Sequence, residues 1–351
     1  MPLNAILYYR QMCAKIKAYL MKEGLAYMAN SKRNSIISIC LFVVIFGALL
    51  ITATFVDLDV SKALVRLEEG QYYTTNLFGA VFACIGSTPT YMFLAAAFAI
   101  IYANTCRANN KVLKILGSIA ANLASVAASV YIVFDVIRYM KKHFGPDIVF
   151  DKTLIKIAFC CVGVACAELL CRYFSKLDDK TVKALLKFSF VVLFAVILSN
   201  ILINIVIKNV MCRPRYRAMW YLGDYDFSNF HRWYQKSSMP EANDGSGLFF
   251  DSVNGVHVGH DAYRSFPSGH TNAAATVYCL LVLPKLLKKY NTTAWKTALV
   301  LISVCVTGVV AVSRIVCGAH FFSDVLVGGT IMFLCVMLGS KIFIKSDFER
   351  A

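Results

Sequence analysis

The chain has 351 residues, 58% of them hydrophobic and only 16% charged, with a mean hydropathy of +0.62. The apolar residues come in long uninterrupted runs, which excludes an ordinary soluble domain and points to a polytopic membrane protein. The formal net charge of +16 sits in short basic clusters between those runs, so no nucleic-acid partner is expected.

Taken in order, residues 1–34 are basic, and Arg10, Lys15, Lys17 and Lys22 interrupt every apolar core that a signal peptide would need. LNAILYYRQMCAKIKAYLMKEGLAYM reads as an amphipathic helix on a membrane surface or as a cytosolic tail. Eight candidate spans follow, near 35–56, 78–104, 113–138, 153–173, 185–207, 271–288, 295–313 and 322–344. Each is close to the roughly 20 residues that cross the hydrocarbon. DLDVSKALVRLEEGQYY, between the first two, reads as a short surface helix. The expected fold class is therefore all-α, a polytopic bundle of about eight transmembrane helices.

Lysines and arginines of the short loops set the orientation. Arg107, Lys111 and Lys114, then Arg172, Lys176, Lys180 and Lys183, then Lys285, Lys288, Lys289 and Lys296 fall on one side with both termini. That side is expected to be cytoplasmic. One loop opposes the assignment, because Arg138, Lys141, Lys142 and Lys152 then lie outside. Asp135 and Glu168 stand inside apolar runs, where an acid marks a functional site or pairs with a basic group or carbonyl. Asn200 and Asn204, one turn apart, read as polar glue between helices.

Of the 13 cysteines, most sit in apolar runs and behave as small hydrophobes. Cys212 and Cys317 flank polar clusters, and the sequence leaves open whether they pair.

Three polar clusters interrupt the C-terminal half. Lys208, Arg213, Arg215 and Arg217 open the long 211–266 loop, which is rich in Trp and Tyr and reads as a lid or as a packed cap. Pro267-Ser268-Gly269-His270 closes it, a turn whose amides and Ser268 hydroxyl suit an anion. Ser313, Arg314, His320 and Asp324 lie between the last two apolar runs. His320 and Asp324 share one face if that stretch is helical, so the carboxylate can fix the imidazole tautomer, or simply cap a helix. No span separates Lys208 from His270, and two separate His270 from Arg314, so all three clusters meet at one membrane face. His257 and His260 in HVGH are too few ligands for a metal, and no metal or other cofactor is expected.

The combination resembles the type 2 phosphatidic acid phosphatase superfamily. Its motifs are Lys, six residues, Arg-Pro; then Pro-Ser-Gly-His; then Ser-Arg, five residues, His, three residues, Asp. The second and third are intact here, while in the first Lys208 and Arg215 match and Tyr216 replaces the proline. The resemblance covers about 185–345, leaving 35–184 as additional N-terminal transmembrane helices. It implies His320 as the nucleophile, oriented by Asp324, and His270 as the acid that protonates the leaving alkoxide. Lys208, Arg215, Ser268, Gly269 and Arg314 would hold the phosphate oxygens. The implied activity is metal-independent hydrolysis of a phospholipid or polyprenyl phosphate, at the non-cytoplasmic face of the cell membrane. A soluble phosphate ester is the alternative substrate, and an anion transporter the alternative class.

Overall fold

The computed structural model describes residue 37 and residues 39–238, 252–253, 256–257 and 259–344. The amphipathic reading of 1–34 lies outside the described residues, as do the centre of the 211–266 loop and the stretch 345–351. The chain divides into two compact units, Met1–Phe55 and Val56–Ala351. In the first, the described residues are helical and expose apolar side chains such as Ile39, Leu41 and Val44.

Helix α1 is Ile39–Leu64, followed by α2 (Leu77–Ile85) and α3 (Thr88–Thr105). A π-helical turn, Leu113–Gly117, leads into α4 (Ser118–Phe144), and α5 covers Thr153–Ser175. Helix α6 (Asp179–Asn200) continues through a π segment, Ile201–Ile207, into α7 (Lys208–Met211). Then come α8 (Tyr216–Tyr221), a strand pair of two residues each (Ser252–Val253 with Val256–His257), α9 (Gly269–Ala274) and α10 (Leu283–Leu286). Helices α11 (Thr293–Val316) and α12 (Phe322–Phe343) complete the bundle.

Local chemistry sets these boundaries. Asn76, Asp178 and Thr292 cap α2, α6 and α11 by accepting a backbone N–H in the first turn. Gly145, at φ +90, ends α4 where a side chain would be strained. Among the described residues seven helical stretches are long and apolar enough to cross a membrane, and the protein is a multi-pass membrane protein.

Two expectations need correction. The stretch 271–288 is not among the seven long helices; it winds as α9, a 3-10 segment Ala275–Val282 and α10. Pro284 removes a backbone donor there, and Thr271, Asn272 and Thr276 turn inward to buried positions. The surface helix expected after the first span does not form separately. Its first part, through Leu64, is the end of α1, and the following loop buries Tyr72 and Tyr73.

The core joins α3, α6, α12 and the 3-10 segment through Ile100, Phe188, Val191, Cys279, Met332 and Val336. Gly328 lets α12 come close to the loop before α9: a Cβ there would stand 2.4 Å from the Ser268 carbonyl oxygen. That approach fixes α12, and with it Asp324, against the second motif. Glu168 accepts a hydrogen bond from Asn122 Nδ2 at 2.8 Å, a side-chain amide and not the basic group or carbonyl expected from sequence.

Candidate active site

The first motif leaves α7 through Cys212, whose φ of +45 turns the chain sharply. The extended residues that follow send alternate arginines to different places. Arg213 is fully buried, donating to Asp57 Oδ2 at 3.0 Å, to Asp324 Oδ1 at 2.6 Å and to the His231 carbonyl at 2.7 Å. Arg215 instead donates to the Asp261 carbonyl at 2.6 Å and to its carboxylate at 2.9 Å. Its Nη1 lies 3.5 Å from His320 Nε2. The arginine of the two that reaches the histidine is therefore Arg215, despite Tyr216 in the proline position.

A small cavity of about 70 Å3 gathers side chains from all three motifs. Lys208, Arg215, Gly269, His270, Arg314 and His320 line it. Lys142, Arg217 and Asp261 complete its charged wall. Gly269 makes room for the lysine, since a Cβ at that position would stand 3.2 Å from Lys208 Nζ. Nε and Nη1 of Arg314 and Nε2 of His270 are buried with no hydrogen-bond partner among the described residues. The unanswered Arg314 donors, beside Lys208 and Arg215, suit an oxyanion.

His320 is buried, and its Nδ1 lies 2.6 Å from the Ser265 carbonyl. A carbonyl can only accept, so Nδ1 carries the proton and Nε2 presents a lone pair to the cavity. Asp324 Oδ2 is farther from Nδ1, at 3.6 Å. That oxygen accepts from Ser265 Oγ at 2.5 Å and from the Phe321 N–H at 2.8 Å. Asp324 thus caps α12 and anchors Ser265, whose carbonyl, rather than the carboxylate, holds the imidazole N–H. Ser268 does not line the cavity: its Oγ accepts from Thr271 N at 3.3 Å and from Thr271 Oγ1 at 3.0 Å, capping α9.

Burial pulls the His320 pKa down to about 3, against the hydrogen-bonding pull of Asp324 and with help from Arg215. His270 also lies well below the usual value, through burial first and then Arg314 and His320. Burial alone would raise Asp261, but Arg215 and Arg217 hold its carboxyl far below the usual range. Both imidazoles are neutral at pH 7 in this state, as a nucleophile must be.

Four contributors have no individual role in the sequence reading. Asp57, assigned to a surface helix, is the buried partner of Arg213 and Ser323. Asp261 is an acid set among basic motifs, a contrast in charge that could have marked it. Arg217 lies over the Tyr72 and Tyr73 rings, at 4.6 and 4.8 Å. Lys142 belongs to the loop whose charges oppose the orientation expected from sequence, and it stands in the cavity wall. Its neighbours are also engaged: Arg138 pairs with Asp135, and Lys141 with Asp151 at 2.6 Å.

The described part of the aromatic loop is a packed cap. Tyr216, Phe227 and Phe230 close around Phe321, next to His320 in the chain. Cys212 and Cys317 are both buried free thiols. Among the described residues no group of three or more His, Cys, Asp or Glu could hold a metal ion. Asn200 and Asn204 bond to each other along one helix instead of joining two.

Residues 184–347 match the family model of the PAP2 superfamily. No curated protein and no solved structure matches the chain.

Proposed function

We propose that this chain, which belongs to the PAP2 superfamily through residues 184–347, hydrolyses a phosphorylated lipid by way of a phosphohistidine. The coarser activity, a membrane-embedded phosphatase of phosphate esters, comes with the family. The observation that supports the finer reading is the pairing of a neutral, oriented His320 Nε2 with a cavity wall of Lys208, Arg215 and Arg314.

In the proposed reaction Nε2 of His320 attacks phosphorus as the bond to the leaving oxygen breaks. His270, protonated in the substrate complex, gives its proton to that oxygen. Water then attacks the phosphohistidine, His270 takes up the released proton, and phosphate departs with the N–P bond broken. Lys208, Arg215, Arg314 and the Gly269 amide hold the non-bridging oxygens, while Ser268 fixes the turn that presents that amide. Positive charge and positioning do most of what phosphoryl transfer requires. The proposed location is the cell membrane, with the active site on the non-cytoplasmic face, as the loop charges imply.

The test is phosphate release by the purified protein from phosphatidate, phosphatidylglycerol phosphate, a polyprenyl diphosphate, sphingosine phosphate and a sugar phosphate. Acid-labile, base-stable label on the protein, absent from His320→Ala, is the expected intermediate. Binding of these esters without turnover would favour an anion transporter instead. Fastest turnover of the sugar phosphate would favour a soluble substrate.

A further inference from the structure

A second chamber, of about 590 Å3, adjoins the small cavity and shares Lys208, Asp261, Gly269 and His270 with it. In the mechanism proposed above, His270 protonates the departing oxygen, so the alcohol portion of the substrate must lie on the His270 side of phosphorus. The chamber shares that wall. Its lining therefore selects the alcohol.

That lining carries several polar side chains. Asn200 and Asn204 project into it from α6 and the following π segment. Asn200, Asn204 and Lys208, spaced four residues apart, all line the chamber, and Lys208 also lines the phosphate cavity. Asn204, half-buried, donates from Nδ2 to Oδ1 of the exposed Asn200, so the remaining amide atoms of the pair face the chamber side. Asn204 Oδ1 would stand 3.7 Å from a Cβ on Gly269, which places it beside the turn that faces phosphate.

A third amide gives an independent sign of a polar occupant. Asn272 is only 7% exposed, donates from Nδ2 to Ser199 Oγ at 3.1 Å, and leaves Oδ1 buried without a partner. Asp135, 3% exposed and held by Ser87 and Arg138, adds a carboxylate to the same chamber. Of the three amides Asn272 is the buried one, and its unpaired oxygen is costly. An acyl or prenyl chain in this chamber would answer none of these groups, whereas a hydroxyl both donates and accepts.

The geometry points to a phosphate monoester of a polyol as the substrate class, with free hydroxyls close to the scissile oxygen and bound by Asn200, Asn204 and Asn272. This rests on the phosphatase reading and narrows it. The same chemistry occurs in a phosphoglycerol lipid headgroup and in a free polyol phosphate.

The experiment compares kcat/KM of the unaltered protein on propyl phosphate and glycerol 1-phosphate, and on phosphatidate and phosphatidylglycerol phosphate in mixed micelles. Each hydroxylated ester is expected to exceed its plain counterpart at least tenfold, since a site built to bond a hydroxyl rejects the analogue lacking it. Preference for the micellar ester would identify a lipid headgroup, and preference for the free ester a soluble polyol phosphate. Asn204→Leu and Asn200→Leu are each expected to lower the ratio of hydroxylated to plain substrate at least fivefold. A ratio near one in the unaltered protein, or higher rates on the plain esters, overturns the inference. Nitrophenyl phosphate, lacking any such hydroxyl, is the control for the underlying reading. Turnover of it that depends on His320, without hydroxyl preference, removes the polyol assignment alone; no turnover of any ester removes the phosphatase reading and the assignment with it.

Discussion

Arg213 Nη1 stands 2.6 Å from Asp324 Oδ1, and neither side chain is exposed to solvent. The same guanidinium reaches Asp57 Oδ2 at 3.0 Å, so one cation answers two buried carboxylates. Arg213→Ala is expected to leave both without a counter-charge and to destabilise the protein by about 3–5 kcal/mol. Arg213→Lys keeps the charge but loses the fork, and should fall between the two. Thermal unfolding in detergent micelles measures both; an alanine variant as stable as the parent would contradict the role.

Asp261 places a carboxylate 2.9 Å from Arg215 and 3.5 Å from Arg217, at the wall of the proposed phosphate cavity. It competes there with the anion that the cavity suits. Asp261→Asn keeps the backbone carbonyl that holds Arg215 Nε at 2.6 Å, and removes only the charge. Vanadate is expected to bind this variant about tenfold more tightly, roughly 1.4 kcal/mol. Inhibition constants decide the matter, and weaker binding would mean that the carboxylate positions the arginines more than it opposes the ligand.

Turnover is expected to survive EDTA, because Lys208, Arg215 and Arg314 stand where an activating cation would otherwise be required. Activity lost on chelation and restored by Mg²⁺ would assign the charge stabilisation to a metal.

Much of the bundle and of the site is legible in the sequence, because both rest on local signals. Apolar runs of membrane length stand out whatever they pack against. Pro267 to His270 and Ser313 to Asp324 each keep their chemistry within a few residues. The broken winding of 275–282 is not legible, since its residues are as apolar as those of a regular span and only packing reveals Asn272 and Thr276 as buried. Asp57 and Asp261 are missed for a related reason. Asp57 lies 156 residues from its partner Arg213, and Asp261 lies 46 from Arg215, so no spacing rule connects them. The spacing of four residues predicts a direct bond from His320 to Asp324, but the backbone carbonyl of Ser265 takes the closer place.

Stability should depend on pH through the buried histidines. The folded His320 titrates at about 3 against 6.5 for the free side chain, and His270 is shifted the same way. A depressed folded pKa means that the unfolded chain binds the proton first. The stabilisation from His320 is therefore complete above pH 6.5 and is lost as pH falls from there toward 3, by about 1.4 kcal/mol per unit, and His270 acts in the same direction. The unfolding temperature should drop between pH 6.5 and 5, above the range in which most carboxylates titrate. His320→Asn should flatten that slope; an unchanged slope would place its origin elsewhere.

The two histidines can be separated by the quality of the leaving group. If His270 only protonates the departing oxygen, its contribution grows with the basicity of that oxygen. A lipid alkoxide leaves poorly without a proton, whereas nitrophenolate leaves readily. His270→Ala should therefore lose 10²-fold or more in kcat/KM on the lipid, on the order of general acid catalysis, and far less on nitrophenyl phosphate. His320→Ala removes the attacking nitrogen, so no choice of leaving group should restore turnover. Asp324→Asn leaves Nδ1 of His320 on the Ser265 carbonyl but weakens the support of Ser265, and its loss should be intermediate and similar on both substrates. Equal losses on both substrates for His270→Ala would falsify its role as leaving-group acid. Nitrophenyl phosphate turnover by His320→Ala near the parent rate would remove the phosphohistidine from the mechanism.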